Sequence, residues 1–558
     1  MFKLLLILGL SLLPAHFSVA LKEAALRPLP GRALAHEDAL VDSLLASSSK
    51  PLWLRRGQLT PQATELLAML ASVAQFGLQP SDYGLDALAT VHDDIARNDT
   101  TTNEAAYDAL LFRAAIRLVS HLHYGRIDPR SAGFELQEPR ADLDVVSAVR
   151  ALASAPHVAG AIAAVEPQFY HYGLLKAALL RYRALATDPT LTQLPALGRR
   201  ALHVGDLYAG SPALRRLLLA LGDIPATASP ALPSLPSLPA SPASPAPPAQ
   251  AVQAALADDL HLDSTLCDGL KRFQLRHGLP ADGVLSAATY LALTTPLSQR
   301  VRQIELTLER WRWLPAFDSP PIIVNIPEFR LFAFRSVEDR VADILQMAVI
   351  VGQTYPRTRT PVFVGDMRYV IFRPYWDVPR SITVREMLPK IQANSAFLEH
   401  NHLEIVRGEG DDGTVMSPTP EDIAALATGK LRLRQQPGDD NALGLVKFMF
   451  PNVHNVYLHS TPAHQLFAQS RRAFSHGCIR VSDPAALAAY VLRSAEGSWD
   501  AQRIDAAMHG PKSSRVELRK PIRVMILYAT AQAMEAGPVE FFDDIYGHDR
   551  KLAQMLGL

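Results

Sequence analysis

The 558-residue sequence predicts a multidomain chain of three architectures. An α-helical region covers 36–195 and a small three-helix unit covers 197–297. A mainly β, sandwich-like region follows over 300–497, with a helical lid insertion at 380–442, and 498–558 reads as a C-terminal extension. Three observations predict this. Apolar residues recur at helical spacing through the first region. Short β-branched and aromatic runs bounded by turn residues replace them after about residue 300. A proline-rich tract over 224–250 interrupts the small unit, because such a tract favours extended polyproline II and builds no core.

At the start of the chain, Lys3, the apolar run 4–13 and the small residues Ser18-Val19-Ala20 read as a cleaved signal peptide over 1–20. An uncleaved anchor is the competing reading, but the run falls short of the roughly 20 residues that span a bilayer. An exported, soluble protein is therefore expected. Lys+Arg and Asp+Glu both number 55, and this balance argues against a nucleic-acid partner.

In the helical region Thr60 is placed to cap a helix, with Pro61 at its first position and Glu65 in its first turn. Leu66, Leu67, Leu70 and Val73 then form one stripe, and similar stripes recur at 105–122 and 172–185. Nothing there groups into a catalytic constellation, so a scaffold is expected. In the small unit Ser211-Pro212 opens a helix that ends at Gly222; a second carries Leu266, Leu270 and Phe273; Ser286 opens a third. Strands are expected at 322–326, 330–334, 344–351, 369–372 and 446–450, with insertion helices at 386–398 and 421–428. A helix at 485–493 and a last strand at 523–530 complete the reading.

The chemistry concentrates in His459-Ser460 and Ser475-His476-Gly477-Cys478-Ile479-Arg480. Cys478 is one of only two cysteines. A thiol with a pKa near about 8.5 needs a base to act as a nucleophile at neutral pH. A strand ending at 457–459, a loop, and a turn into a helix at Ser482-Asp483-Pro484 bring histidine and cysteine to one edge of a sheet. A disulfide between Cys267 and Cys478 is the alternative for an exported chain, weighed against their lying in segments of different character. Zinc held by His459, His476 and Cys478 was weighed as well. Close ligand pairs and an acidic base beside a histidine are both missing, so no metal and no cofactor is expected.

These motifs resemble the L,D-transpeptidases of bacterial cell-wall synthesis, whose catalytic domain is of the YkuD type. Arg480 stands where the shorter members have Asn and is typical of the large multidomain periplasmic subfamily. The run Pro374-Tyr375-Trp376-Asp377-Val378-Pro379-Arg380-Ser381-Ile382, Gln436-Pro437-Gly438 with Asn441-Ala442-Leu443-Gly444, and Asp543-Asp544-Ile545-Tyr546-Gly547 resemble the same branch. Leu270-Lys271-Arg272-Phe273-Gln274, His277-Gly278-Leu279 and Asp282-Gly283-Val284 resemble a three-helix peptidoglycan-binding domain. Leu59-Thr60-Pro61-Gln62-Ala63 and Tyr124-Gly125-Arg126 are similar to the scaffold domain of the large transpeptidases.

The resemblance implies acyl transfer between peptidoglycan stem peptides. Cys478 attacks a donor tetrapeptide, usually with meso-diaminopimelate at position three, releases D-alanine and becomes a thioester. An amine of an acceptor stem then forms a cross-link between third-position residues. His459 is the implied base and the Ser460 carbonyl orients it. Gly477 lets the backbone approach the substrate, and the amides of Gly477 and Cys478 form the implied oxyanion hole. His476 and Ser475 shape the turn. Arg480 pairs with a substrate carboxylate or with Asp483, and Tyr375 and Trp376 are stem-peptide walls or plain core aromatics. Carbapenem-type inhibitors are expected to acylate Cys478. An L,D-carboxypeptidase, with water as acceptor, and a non-catalytic wall-binding scaffold are the alternatives.

Overall fold

Local signals set most of the helices. The computed structural model describes residues 37–46, 51–97, 101–136, 142–225, 260–315, 319–336, 344–355, 358–493, 495, 497–535 and 538–558. The expected signal peptide and nearly all of the proline-rich tract lie outside the described residues. The chain divides into two units, Met1–Ala316 with Ala529–Leu558, and Phe317–Tyr528.

In the first unit, helices α1 (Glu37–Ala46), α2 (Pro61–Ala71), α3 (Leu85–Arg97), α4 (Thr101–Tyr124), α5 (Val145–Ser154) and α6 (Val158–Val165) share one apolar core. The Thr60 side chain accepts the Ala63 N–H and closes the start of α2, as its sequence signal predicts. Helix α4 is the core's axis: Leu111, Ile116, Val119 and Leu122 are buried along it. Helix α7 (Tyr170–Ala186) leads into the small unit of α8 (Ser211–Leu221), α9 (Ser264–Leu275) and α10 (Ala287–Leu293). Gln274 explains the sequence pattern there. Its buried amide donates to Asp282, the Val284 carbonyl and Thr289, and accepts the Gly283 N–H at 2.8 Å, fastening the turn between α9 and α10. Helix α11 (Leu297–Arg312) belongs to this unit, so the expected boundary at 300 falls inside a helix. Among the described residues no helix is long and apolar enough to cross a membrane.

The second unit is built on strands β1 (Ile322–Asn325), β2 (Arg330–Ala333), β3 (Leu345–Gly352), β4 (Phe363–Phe372), β5 (Val446–Met449), β6 (Leu458–His459), β7 (Ala473–Ser475), β8 (Ile479–Val481) and β9 (Ser514–Leu527). Their order is β7-β3-β8-β6-β5-β4-β9-β1-β2. Strand β2 also pairs with β3, so one sheet closes on itself where a sandwich-like arrangement was expected. Residues 498–558 do not form a separate extension. Strand β9 lies inside this sheet, antiparallel to β4 and parallel to β1, whereas Ala529–Leu558 belongs to the first unit.

The insertion is a small folded body with its own core of Ile382, Leu388, Ile391, Leu398, Leu403, Ile405, Leu426 and Leu433. A four-stranded sheet organises it, in the order Trp376–Asp377, Arg432–Gln435, Leu403–Arg407, Thr414–Met416. It therefore begins before the expected residue 380 and is not purely helical. The expected helix at 386–398 is a π-helical turn at Thr383–Met387 followed by short helices Leu388–Ala393 and Ala396–His400. Helix Pro420–Thr428 starts on a Thr419 cap and ends at Gly429 in the left-handed region.

Candidate active site

Strand register assembles the site. In the parallel pair β6–β8, Leu458 faces Ile479 and His459 faces Arg480; in the antiparallel pair β5–β6, Lys447 faces His459. Registered partners share a sheet face and alternate residues point to opposite faces. Lys447, His459 and Arg480 therefore share one face, while Phe448, Leu458 and Ile479 are fully buried on the other. Tyr457 and Cys478, two residues before His459 and Arg480, fall on the same face. Tyr457 is among the groups that favour the Cys478 thiolate.

The loop carrying Cys478 is held from within. Ser475 Oγ accepts the Gly477 N–H at 3.1 Å and donates to the Cys478 carbonyl. Gly477 has φ 123°, a left-handed conformation that favours glycine. Its carbonyl accepts from Thr360 Oγ1 at 2.8 Å, and Thr360 Oγ1 in turn accepts the Gly352 N–H at 2.9 Å. Ser475, expected to shape the turn beside the substrate, places its hydroxyl inside the loop. The Gly477 N–H, expected to act together with that of Cys478, is bound to Ser475, and no acceptor takes the Cys478 N–H among the described residues.

Thiol and thiolate each have partners. The Cys478 Sγ donates to the Asn455 carbonyl at 3.7 Å. Asn455 is in the left-handed region, and Asn452 shapes its loop by bonding the carbonyls of Phe450 and Val456 and the N–H groups of His454 and Val456. Burial pushes the Cys478 pKa up, while the Tyr457 backbone and side chain, then Lys447 and Arg480, pull it down. Tyr457 is the residue that motif reading missed. Its ring packs edge-on to His459 at 5.6 Å between centroids, lies 4.1 Å from Lys447 Nζ, and its hydroxyl also engages Trp376.

His459 is buried, and its pKa falls to about 3. Burial is the main cause, followed by the Arg480 guanidinium; the backbones of Ser460 and Leu443 oppose it and Lys447 adds to it. Both members of the pair are thus neutral at rest. No hydrogen bond joins the imidazole to Sγ, and Nδ1 has no hydrogen-bond partner among the described residues. Ser460 is fixed by its N–H to the Val446 carbonyl at 2.9 Å and by Gly444, where a Cβ would stand 2.5 Å from Ser460 Oγ. Asn441 ties this corner to the other sequence segments, donating to the carbonyls of Pro374 and Gln436.

Of the remaining expected residues, His476 is half exposed and pairs through Nε2 with Glu386 of the insertion at 3.0 Å, so its ring is engaged away from the thiol. Trp376 reaches the site through Tyr457, but Tyr375 stacks under the Arg434 guanidinium at 4.2 Å, within the insertion. Asp483 caps helix Pro484–Leu492 by accepting the Ala486 N–H and forms no ion pair with Arg480. Cys267 and Cys478 are both free, which removes the disulfide alternative.

Comparison with known proteins agrees with this geometry. Residues 320–514 match the family of L,D-transpeptidase catalytic domains (YkuD), and residues 45–179 match a scaffold-domain family. A putative L,D-transpeptidase of Haemophilus influenzae is 31% identical over 260 residues, covering 46% of this chain and 50% of that protein. The match thus spans about half the length of this curated relative. The second unit thus holds a segment that matches L,D-transpeptidase catalytic domains, and the first a segment that matches a scaffold domain.

Proposed function

We propose that this protein is a periplasmic L,D-transpeptidase that joins third-position residues of peptidoglycan stems through a thioester on Cys478. The observation that carries this reading is the convergence of Cys478, Tyr457 and His459 on one sheet face, with the thiol half exposed at the end of a braced loop. The donor carbonyl meets Sγ, and the thiol proton passes to His459, which returns it to the departing amine of D-alanine. Hydrogen bonds of this kind often close only in the substrate complex. The Tyr457 donors that favour the thiolate lower the cost of that transfer, and the Cys478 N–H stabilises the oxyanion, where one donor is typically worth about 3 kcal/mol. The acceptor amine then attacks the thioester and frees the thiol.

The α8–α10 unit is read as a peptidoglycan-binding module and the insertion as a lid over the site. The contact of Glu386 with His476 and that of Trp376 with Tyr457 support the second reading. Incubating purified tetrapeptide muropeptides with the protein and weighing the products tests the assignment. Cross-linked dimers that disappear with Cys478→Ala are expected. Trimmed monomers alone would make it an L,D-carboxypeptidase, and unchanged substrate would sink the enzymatic reading.

A further inference from the structure

Two cations stand beside the nucleophile without an anion. Lys447 and Arg480 share the face of His459 and Cys478, and neither side chain forms an ion pair or a hydrogen bond among the described residues. Arg480 Nε is buried without a partner. Asp483, the carboxylate closest to Arg480 in sequence, is spent on a helix cap. Asp411 of the insertion acts on Lys447 from beyond ion-pair distance, and its own side chain is exposed. Elsewhere in this unit guanidinium groups are paired: Arg434 with Glu404, Arg523 with Asp366, Arg373 with Asp439. Both side chains are half-buried; partly desolvated cations left without counter-charge cost stability, and at a site they mark the place of an anionic ligand.

Resting on the transpeptidase reading, we propose that Lys447 and Arg480 together bind the free carboxylate of the residue that follows the scissile bond, so that the enzyme selects donors whose cleaved bond is their last peptide bond. The spacing suits this. Arg480 lies two positions beyond Cys478 along one strand direction, roughly 7 Å between Cα atoms. A terminal carboxylate lies one residue, about 3.5 Å, past the attacked carbonyl, within reach of both long side chains. Lys447 also rests against the Tyr457 ring, which fixes the ammonium on the Cys478 side of the face. Binding the carboxylate has a second effect. Both cations disfavour a proton on His459, so neutralising them in the donor complex makes the imidazole a better base when the thiol must be deprotonated. Lys447 is in this account a specificity-determining residue.

The test compares a stem tetrapeptide acid with its C-terminal carboxamide. Binding is measured by calorimetry on the non-turnover Cys478→Ala protein, alone and combined with Lys447→Met, Lys447→Arg or Arg480→Met; thermal unfolding establishes that each is folded. A charge-assisted pair of this kind predicts a preference for the acid of about 10- to 100-fold. Lys447→Met is expected to shrink that preference severalfold by weakening the acid alone, and Lys447→Arg to keep most of it. Equal affinity for acid and amide, or a loss in Lys447→Met that is the same for both, overturns the proposal. Acylation of proteins that retain Cys478 is scored separately. Acid-selective binding without acylation leaves the anion subsite standing and removes the transpeptidase reading; acylation without acid selectivity does the reverse.

Discussion

Replacing Ser475 with Ala isolates the bracing of the Cys478 loop from its chemistry. The hydroxyl accepts the Gly477 N–H and donates to the Cys478 carbonyl, and Ser475 itself is only 2% exposed. Removing it strands one buried donor and one acceptor, each worth about 1–3 kcal/mol when left unpaired. The carbonyl borders the half-exposed Cys478 and regains water, so a total of about 2–3 kcal/mol is the reasonable figure. The loop can relieve that penalty by turning Gly477 outward, which moves Sγ without unfolding the sheet. At 1.4 kcal/mol per factor of ten, the rate at which Cys478 is acylated should fall about 10- to 100-fold. The assay is the second-order rate constant for carbapenem adduct formation, followed by intact-protein mass, with thermal unfolding alongside. Ser475→Thr keeps the hydroxyl and should stay much closer to the parent. Should Ser475→Ala react within twofold of the parent at unchanged thermal stability, the hydroxyl does not hold the loop and the reasoning fails.

Two further outcomes follow from the same geometry. At Gly352 a Cβ would stand 2.0 Å from the Thr358 carbonyl and 2.6 Å from the Thr360 N; both are backbone atoms, so Gly352→Ala should displace the segment that carries Thr360 and slow Cys478 acylation at least about tenfold through the lost Gly477 contact, and normal acylation kinetics would contradict this. His459 titrates near 3 in the fold against 6.5 as its ordinary value; the unfolded chain therefore takes up a proton between those values that the native state refuses, so stability is intact above about pH 6.5 and falls as the pH drops toward 3, by at most about 1.4 kcal/mol per pH unit from this group. Denaturant unfolding of His459→Gln between pH 6 and 4 should show a slope smaller by about one proton, and identical slopes for the two proteins would contradict the buried, neutral imidazole.

What the sequence disclosed and what it hid divide along physical lines. Helix caps are local, so Thr60, Gly222 and Ser286 announced their helices correctly. Strands β1, β2, β3 and β5 were legible as β-branched runs, but β9 was shortened to its apolar end. Its first half, Ser514-Arg515-Val516-Glu517-Leu518-Arg519-Lys520-Pro521, is charged, contains a proline and shifts register between Glu517 and Ile522. The insertion strands were missed because their polar residues satisfy one another: Arg434 is buried at 3% exposure only because Glu404 and the Asp411 carbonyl take its guanidinium. His459 and Cys478 could be read from their motif. Tyr457, Lys447, Asn452 and Glu386 could not, since each acquires its place only when β5, β6, β8 and the insertion are laid side by side. Ser475 could be read as shaping the turn, but sequence spacing does not reveal that its hydroxyl takes the Gly477 N–H.

The most direct test of the account is to trap the intermediate. Mixing the protein with a tetrapeptide donor, quenching within one turnover and mapping the adduct by mass spectrometry should find the donor, less its terminal D-alanine, on Cys478, present with Cys267→Ala and lost with Cys478→Ala. Product formation with no adduct at Cys478, or with the donor attached to Cys267 or to any other side chain, would contradict it.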